Sequence, residues 1–434
     1  MRFSISVLCF VSQVLGQLPA YTGPYGVGLI DVEVPGNGAT FSNYTLKGTD
    51  QRAFYLETVL TSIYYPTAKD YANASQAPHP WLPRPLEVIA EGFAKAGGFG
   101  DPSVILAGLQ VLGGNVTIPA QVDAPLSPDG GAFPVIVFSH GDTSLSTWYS
   151  IFCGELASRG NVVVAIQHRD GTSAGTVIRP KDGQERNLTY LRPEDVEPVP
   201  SELNLTMVKR TFRQGEVHEV VQMIEAINDG GGGGTYRSNS RNEGRDLANW
   251  KGRLDLTHLV ASGHSFGATS TMDSLGGELT LVDSFTASIV FDPGKLSGPL
   301  NRNVSVPLLV ADSLEWSLIP ALLDGQNHFD LVKRIAEDSL QKTNGSWFMT
   351  NLGTAHVSVS DAPILAGDLI TAFDSGAGNA TIDPQVALQR YIDVSANFLQ
   401  FLKDGSRNGI LASEVTHPFF VNESGRDWVV HVAP

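Results

Sequence analysis

The sequence predicts a doubly wound α/β fold, a mainly parallel sheet with helices on both faces, on three observations. Short apolar runs ending in small or polar residues recur at 134–141, 161–170, 287–294, 306–316 and 346–356, the length and character of strands buried on both faces. Segments with helical periodicity alternate with them, as crossover connections between parallel strands require. A further strand-like run, LVASGHSFGAT at 259–269, passes through a tight glycine-flanked turn directly into a helix-forming segment. A fold of this class places its ligand site outside the carboxyl ends of the strands.

Taken in chain order, the first 20 residues, MRFSISVLCFVSQVLGQLPA, carry Arg2 before an apolar run and the small Gly16 near its end, the pattern of a secretory signal cleaved after residue 16. N-x-[ST] sequons at Asn43, Asn73, Asn115, Asn187, Asn204, Asn303, Asn344, Asn379 and Asn422 point to the same extracellular destination. Cys9 would leave with the signal, so Cys153 has no partner for a disulfide and is expected to pack in the core. The remaining 17–434 is expected to be one domain with insertions near 113–131, 230–248 and 363–386.

Residues 21–35 and 58–68 read as antiparallel strands at a sheet edge. Between Pro85 and Gly113, an apolar stretch broken by Gly97, Gly98, Gly100 and Pro102 predicts two short helices. They are expected either to pack over the core or to form a lid-like surface on which Val104, Ile105, Leu106, Leu109 and Leu112 meet lipid. The first βαβ unit runs from PVIVFSHG through a helix over 147–160 to NVVVAIQHRD, and a second amphipathic helix covers 208–229. Gly230–Gly234 and the polar residues after it read as a flexible insertion without the lysine pattern of a phosphate loop. A helix at 329–340 and another at 387–405 complete the pattern.

Composition excludes some partners. A net charge of −16 opposes binding to nucleic acid or general adsorption to anionic membrane, and mean hydropathy of −0.02 is that of a soluble globular chain. No run later than the N-terminus reaches the roughly 18 apolar residues needed to span a bilayer.

The chemistry centres on Ser265. In GHSFG, Gly263 and Gly267 flank it where a strand-to-helix turn crowds the backbone, and the helix start places its hydroxyl beside partial positive charge. The pentapeptide alone is weak, because about 0.4 matches are expected by chance in a chain this rich in glycine and serine. A second match, GTSAG around Ser173, leads into a segment with Pro180 and Gly183 and reads as loop. A serine nucleophile needs a histidine base oriented by a carboxylate, in the chain order Ser, acid, His. Of His328, His356, His417 and His431, His356 is best placed, in a loop directly after the last parallel strand. Asp292 and Asp312 both end strands and compete for the acid, while His264 reads as a packing residue. An oxyanion would be met by the backbone N–H of Phe266 and by that of Asp142 or its neighbour, in the loop after PVIVFSHG.

TGPYGVG, IYYPT, WLP, VFSHGDTSLSTWYS, HRDGTS, GHSFGAT, FDP and GTAH occur in this order and span most of the chain. In these stretches the sequence resembles the secreted platelet-activating factor acetylhydrolases, in a fungal-type form, within the α/β-hydrolase superfamily. The resemblance implies Ser265 as nucleophile, Asp292 as acid, His356 as base and oxyanion donors at Asp142 and Phe266. It also implies removal of acetyl or other short sn-2 acyl groups from phospholipids without calcium or another cofactor. The chain departs from the family pattern in Ala268 after GHSFG and in the three insertions. A broader carboxylesterase, a polyester hydrolase and a catalytically silent binding protein on the same fold are the competing expectations.

Overall fold

The computed structural model describes residues 17–71, 76–276, 280–282, 284–323, 325–367, 379–416 and 426–434. The signal segment 1–16, Asn73, Asn422, His417 and residues 368–378 of the insertion at 363–386 therefore lie outside the described residues.

One ten-stranded sheet organises them. Its strands are β1 (Gly26–Pro35), β2 (Thr58–Thr67), β3 (Gln121–Val122), β4 (Phe133–Ser139), β5 (Val162–Gln167), β6 (Leu254–His264), β7 (Ala287–Phe291), β8 (Leu308–Ser313), β9 (Trp347–Asn351) and β10 (Trp428–Val432). They lie in the order β10-β9-β8-β7-β6-β4-β5-β2-β1-β3. From β9 to β5 every neighbouring pair is parallel. β1 and β2 form the expected antiparallel ribbon, Gly26 opposite Thr67 through Pro35 opposite Thr58, and β2 joins β5 antiparallel.

The side-chain period of two divides the core between the faces. Val135 and Val137 enter one cluster and Ile136 and Phe138 the other; Val162, Val164 and Ile166 face away from Val163 and Ala165. Helices α1 (Leu86–Ala96), α2 (Ser103–Gly113), α3 (Ser150–Ser158) and α10 (Pro384–Asp404) contribute to the second cluster. The long α4 (Glu202–Ala226), α6 (Phe266–Asp273) and α8 (His328–Thr343) contribute to the first. The structure is thus an α/β-hydrolase fold. The short α5 (Gly232–Ser238), α7 (Leu314–Leu318) and α9 (Ala362–Ala366) sit in the connections.

Three expectations change. Gly230–Gly234 is ordered: α4 passes through a π-helical turn at Ile227–Gly231 into α5, with Gly230 at φ 104° turning the chain. A Cβ on Gly232 would lie 1.9 Å from the Leu247 carbonyl oxygen, so this glycine permits close packing rather than slack. α4 also starts earlier than the periodicity marked, at Glu202, where the Ser201 hydroxyl accepts from the Asn204 N–H. Finally, α2 is mostly not a lipid-facing surface. Ile105 and Leu109 are buried, Leu106 packs against the core, and Leu109 and Leu112 line a cavity; of the five residues only Val104, at 79% exposure, stands free. Apolar side chains at helical spacing turn inward where a core is within reach.

Among the described residues no helix is long and apolar enough to cross a membrane. Cys153 is buried on α3 and burial pushes its thiol pKa up, so it packs as an inert apolar residue.

Candidate active site

β6 ends at His264 and α6 begins at Phe266, which leaves Ser265 alone to make the turn, at φ 57° and ψ −122°. An L-residue there is strained by about 1–3 kcal/mol, a conformation that persists only where its surroundings impose it. The flanking glycines are such surroundings. A Cβ on Gly267 would lie 2.1 Å from the Ser139 carbonyl oxygen, and one on Gly263 would lie 2.5 Å from the Gly267 oxygen. The Ser265 N–H is tied to the Phe291 carbonyl (2.9 Å), and its hydroxyl opens onto the C-terminal edge of the sheet.

His356, in the loop after β9, places Nε2 at 3.0 Å from Ser265 Oγ and Nδ1 at 2.8 Å from Asp292 Oδ2. Asp292, just beyond β7, also accepts from the Ser313 N–H (2.6 Å) and hydroxyl (2.7 Å), so its carboxylate is held on both oxygens. These bonds bring together three residues separated by 64 and 91 positions in the chain. Asp312 is buried at the end of β8 and is not a partner of His356; burial, with Asp292 nearby, pushes its carboxyl well above the usual range.

The imidazole of His356 is fixed on two faces. Trp316 stacks on it at 4.0 Å between centroids and 12° between planes, and His264 packs at 4.5 Å with its own Nδ1 bonded to the Tyr149 hydroxyl. Glu315 Oε2 accepts from the His356 backbone N–H (2.8 Å). Sequence reasoning missed Trp316, Ser313 and Glu315. All three lie at or just after β8, where Asp312 alone drew notice, and no local motif marks a side chain whose partner is 40 residues away.

The loop after β4 passes against the serine: a Cβ on Gly141 would lie 3.2 Å from the Ser265 Cβ. Beside it, the Asp142 N–H has no acceptor among the described residues. Phe266 opens α6, where a first-turn N–H has no acceptor within the helix. Both residues line a cavity of about 750 Å³ that also contains Ser265 and His356. Part of its wall is apolar, built by the stack of Trp81 and Phe93 on Trp148 with Leu109, Leu112 and Leu365. Another part carries Asp142, Tyr190, Arg192, Glu194, Glu202 and Lys209. Such a cavity suits a molecule with an apolar and a charged end.

Ser173 is elsewhere and buried, its hydroxyl accepting from Gln167 Nε2 (2.7 Å) in a loop before a short hairpin. Gly175 in that pentapeptide serves packing, since a Cβ on it would lie 2.7 Å from the Val88 oxygen of α1. Among the described residues, one group of acidic and histidine side chains has its ligand atoms close enough to hold a metal: His264, Asp292 and His356. Hydrogen bonds already engage Asp292 Oδ2 and both ring nitrogens of His356, an arrangement that fits proton transfer better than coordination.

Residues 10–409 match the family model described as platelet-activating factor acetylhydrolase, isoform II. The platelet-activating factor acetylhydrolase of Gallus gallus is 25% identical over 403 residues, covering 88% of this chain and 83% of its own length. That of Canis lupus familiaris is 25% identical over 390 residues, covering 88% and 77%. Among solved structures, a ferulic acid esterase from Streptomyces cinnamoneus superposes with a TM-score of 0.57 at 15% identity, covering 92% of this chain and 97% of its own, a likeness of fold. With a family match over nearly the whole chain and an α/β-hydrolase fold, the chain is a carboxylic ester hydrolase and belongs to the isoform II platelet-activating factor acetylhydrolase family.

Proposed function

We propose that the chain hydrolyses the sn-2 acetyl or short acyl ester of phospholipids such as platelet-activating factor, through an acyl-enzyme on Ser265. The observation that carries this reading is His356 bridging Ser265 and Asp292 at hydrogen-bond distance on the wall of an amphipathic cavity. His356 Nε2 takes the proton of the Ser265 hydroxyl as Oγ attacks the ester carbonyl, and Asp292 stabilises the imidazolium so formed. The N–H groups of Asp142 and Phe266 receive the oxyanion, each worth about 3 kcal/mol in the transition state. His356 returns its proton to the departing lysophospholipid oxygen. Water then attacks the acyl-serine with the same histidine as base, which releases the acid and restores the serine.

The chain supplies base, acid and donors itself, so the reaction needs no cofactor and no calcium, and a chelator should leave the rate unchanged. Secretion belongs to the same proposal. It is supported by the signal-like N-terminus and by the exposure of Asn43, Asn115, Asn187, Asn204, Asn303, Asn344 and Asn379, each accessible to a glycan. Transient contact with a lipid surface falls to Phe99 (64% exposed), Val104 and Val111 (45%), which stand on or beside α2, the helix whose Leu109 and Leu112 line the cavity.

Initial rates on an acetyl-phospholipid, its long-chain counterpart and a soluble p-nitrophenyl ester test the substrate. We expect the acetyl-phospholipid to exceed the long-chain one by at least about tenfold in kcat/KM, the order of discrimination that a bounded apolar wall can supply. Equal rates on all three would instead mark a broad carboxylesterase.

A further inference from the structure

Behind the loop after β4 lies a polar network that the proposed mechanism does not use. His140, His168, Asp170, Arg213 and Glu216 are all at most 3% exposed. His140 Nδ1 donates to the Gly141 carbonyl (2.7 Å), and its Nε2 accepts from the His168 N–H (3.1 Å). The ring is therefore neutral with its proton on Nδ1; burial, with Arg213 nearby, lowers its pKa to about 3. Arg213 Nη1 donates to the His140 carbonyl (2.7 Å), Nε pairs with Asp170 (2.9 Å), and the guanidinium lies 4.7 Å over the Phe266 ring.

In a trans peptide the C=O and N–H point in opposite directions. With the Gly141 C=O fixed to the buried His140 ring, the Asp142 N–H must point away from that ring. Gly141 and Asp142 both line the cavity that holds Ser265, and the Asp142 N–H has no acceptor among the described residues, so the unmet N–H is assigned to the cavity side. A free loop could flip the Gly141–Asp142 peptide and present a carbonyl oxygen to the oxyanion, and glycine offers little steric resistance to that flip. The His140 bond opposes it.

We infer that His140 is a positioning residue: its Nδ1–H holds the Gly141–Asp142 peptide in the one orientation that offers an N–H to the oxyanion, while Arg213 braces the His140 carbonyl and the Phe266 ring from behind. This rests on the serine-hydrolase reading. It extends that reading to buried residues that never touch substrate. His140→Leu removes the donor; His140→Asn keeps an N–H near the position of Nδ1; His140→Gln moves it out toward Nε2.

The test measures inhibition by a short trifluoromethyl ketone, whose serine adduct carries the oxyanion, beside binding of the matching secondary alcohol, which forms no adduct. Misplacing one donor should weaken the ketone about 100-fold in His140→Leu, with kcat falling in parallel. Alcohol binding and KM should stay within about threefold, and His140→Asn should recover at least about tenfold of the loss. Should the leucine variant not fold, the same ranking is read between the asparagine and glutamine variants. A folded His140→Leu with wild-type ketone affinity, equal losses in asparagine and glutamine variants, or parallel losses of ketone and alcohol binding would overturn the inference. Wild-type turnover that survives Ser265→Ala would overturn the hydrolase mechanism beneath it, an outcome visible before any His140 variant is made.

Discussion

Two Ser–His–carboxylate relays stand at the ends of neighbouring strands β6 and β4. Ser265–His356–Asp292 has bonds of 3.0 and 2.8 Å; Ser139–His168–Glu216 has bonds of 2.5 and 2.6 Å, shorter in both. On distance alone the second would be the better triad. Their surroundings separate them. Ser265 sits at positive φ on a cavity wall, whereas Ser139 is an ordinary strand residue at 3% exposure with its hydroxyl also taken by Arg213 Nη1 (3.3 Å). A base must become a cation as it takes the proton. Burial, with Arg213 nearby, pushes the His168 pKa well below its ordinary value, and burial with Asp170 nearby pushes the Glu216 carboxyl well up. The inner relay is a buried strut, whereas the outer one opens onto a cavity.

The sharpest way to break this comparison is to neutralise each carboxyl. Asp292→Asn should lower kcat about 10⁴-fold on a soluble ester, because the imidazolium loses its counter-charge and its tautomer is no longer fixed. Glu216→Gln should leave kcat within about tenfold, its main effect being a lower Tm from a disturbed buried network. Comparable losses of turnover would mean that the inner relay takes part in the chemistry.

Asp312→Asn comes next in size. Burial, with Asp292 nearby, pushes the Asp312 carboxyl well above the usual range, and asparagine is a near-isosteric neutral substitute. Rates within about threefold of wild type are expected; a loss matching that of Asp292→Asn would move the orienting acid to the end of β8. The smallest effect lies outermost. Val104→Glu and Phe99→Glu should reduce rates on phospholipid vesicles about twofold and leave the soluble ester unchanged, as loss of partly inserted apolar area predicts. Equal loss on both substrates would place these residues in the cavity's architecture instead.

Much of this was legible in the sequence where signals are local. The strand runs, the glycines about Ser265 and the loop position of His356 state their roles within a few residues. GHSFG and GTSAG are equivalent as text; only the context of strand and helix separates them, and the structure puts Ser265 on a cavity wall and buries Ser173. The choice between Asp292 and Asp312 could not be made from spacing, because both end parallel strands; in the structure it is Asp292 that meets His356 Nδ1, with Ser313 holding its carboxylate in place. The lipid-facing reading of α2 failed at Ile105 and Leu109 because periodicity reports an apolar face without saying what covers it. The glycine run misled for a related reason. Glycine marks freedom in isolation but contact where a carbonyl presses close, as Leu247 does on Gly232. β10 escaped notice because five residues buried on both faces show no alternation.

The central claim is that Ser265 is the nucleophile and that the other serines in similar sequence or geometry are not. Labelling the intact chain with a fluorophosphonate, followed by mass mapping of the modified peptide, tests it most directly. One adduct per chain on the peptide containing Ser265, formed as esterase activity disappears, is the predicted result. An adduct on Ser139 or Ser173, or full loss of activity with Ser265 unmodified, would contradict it.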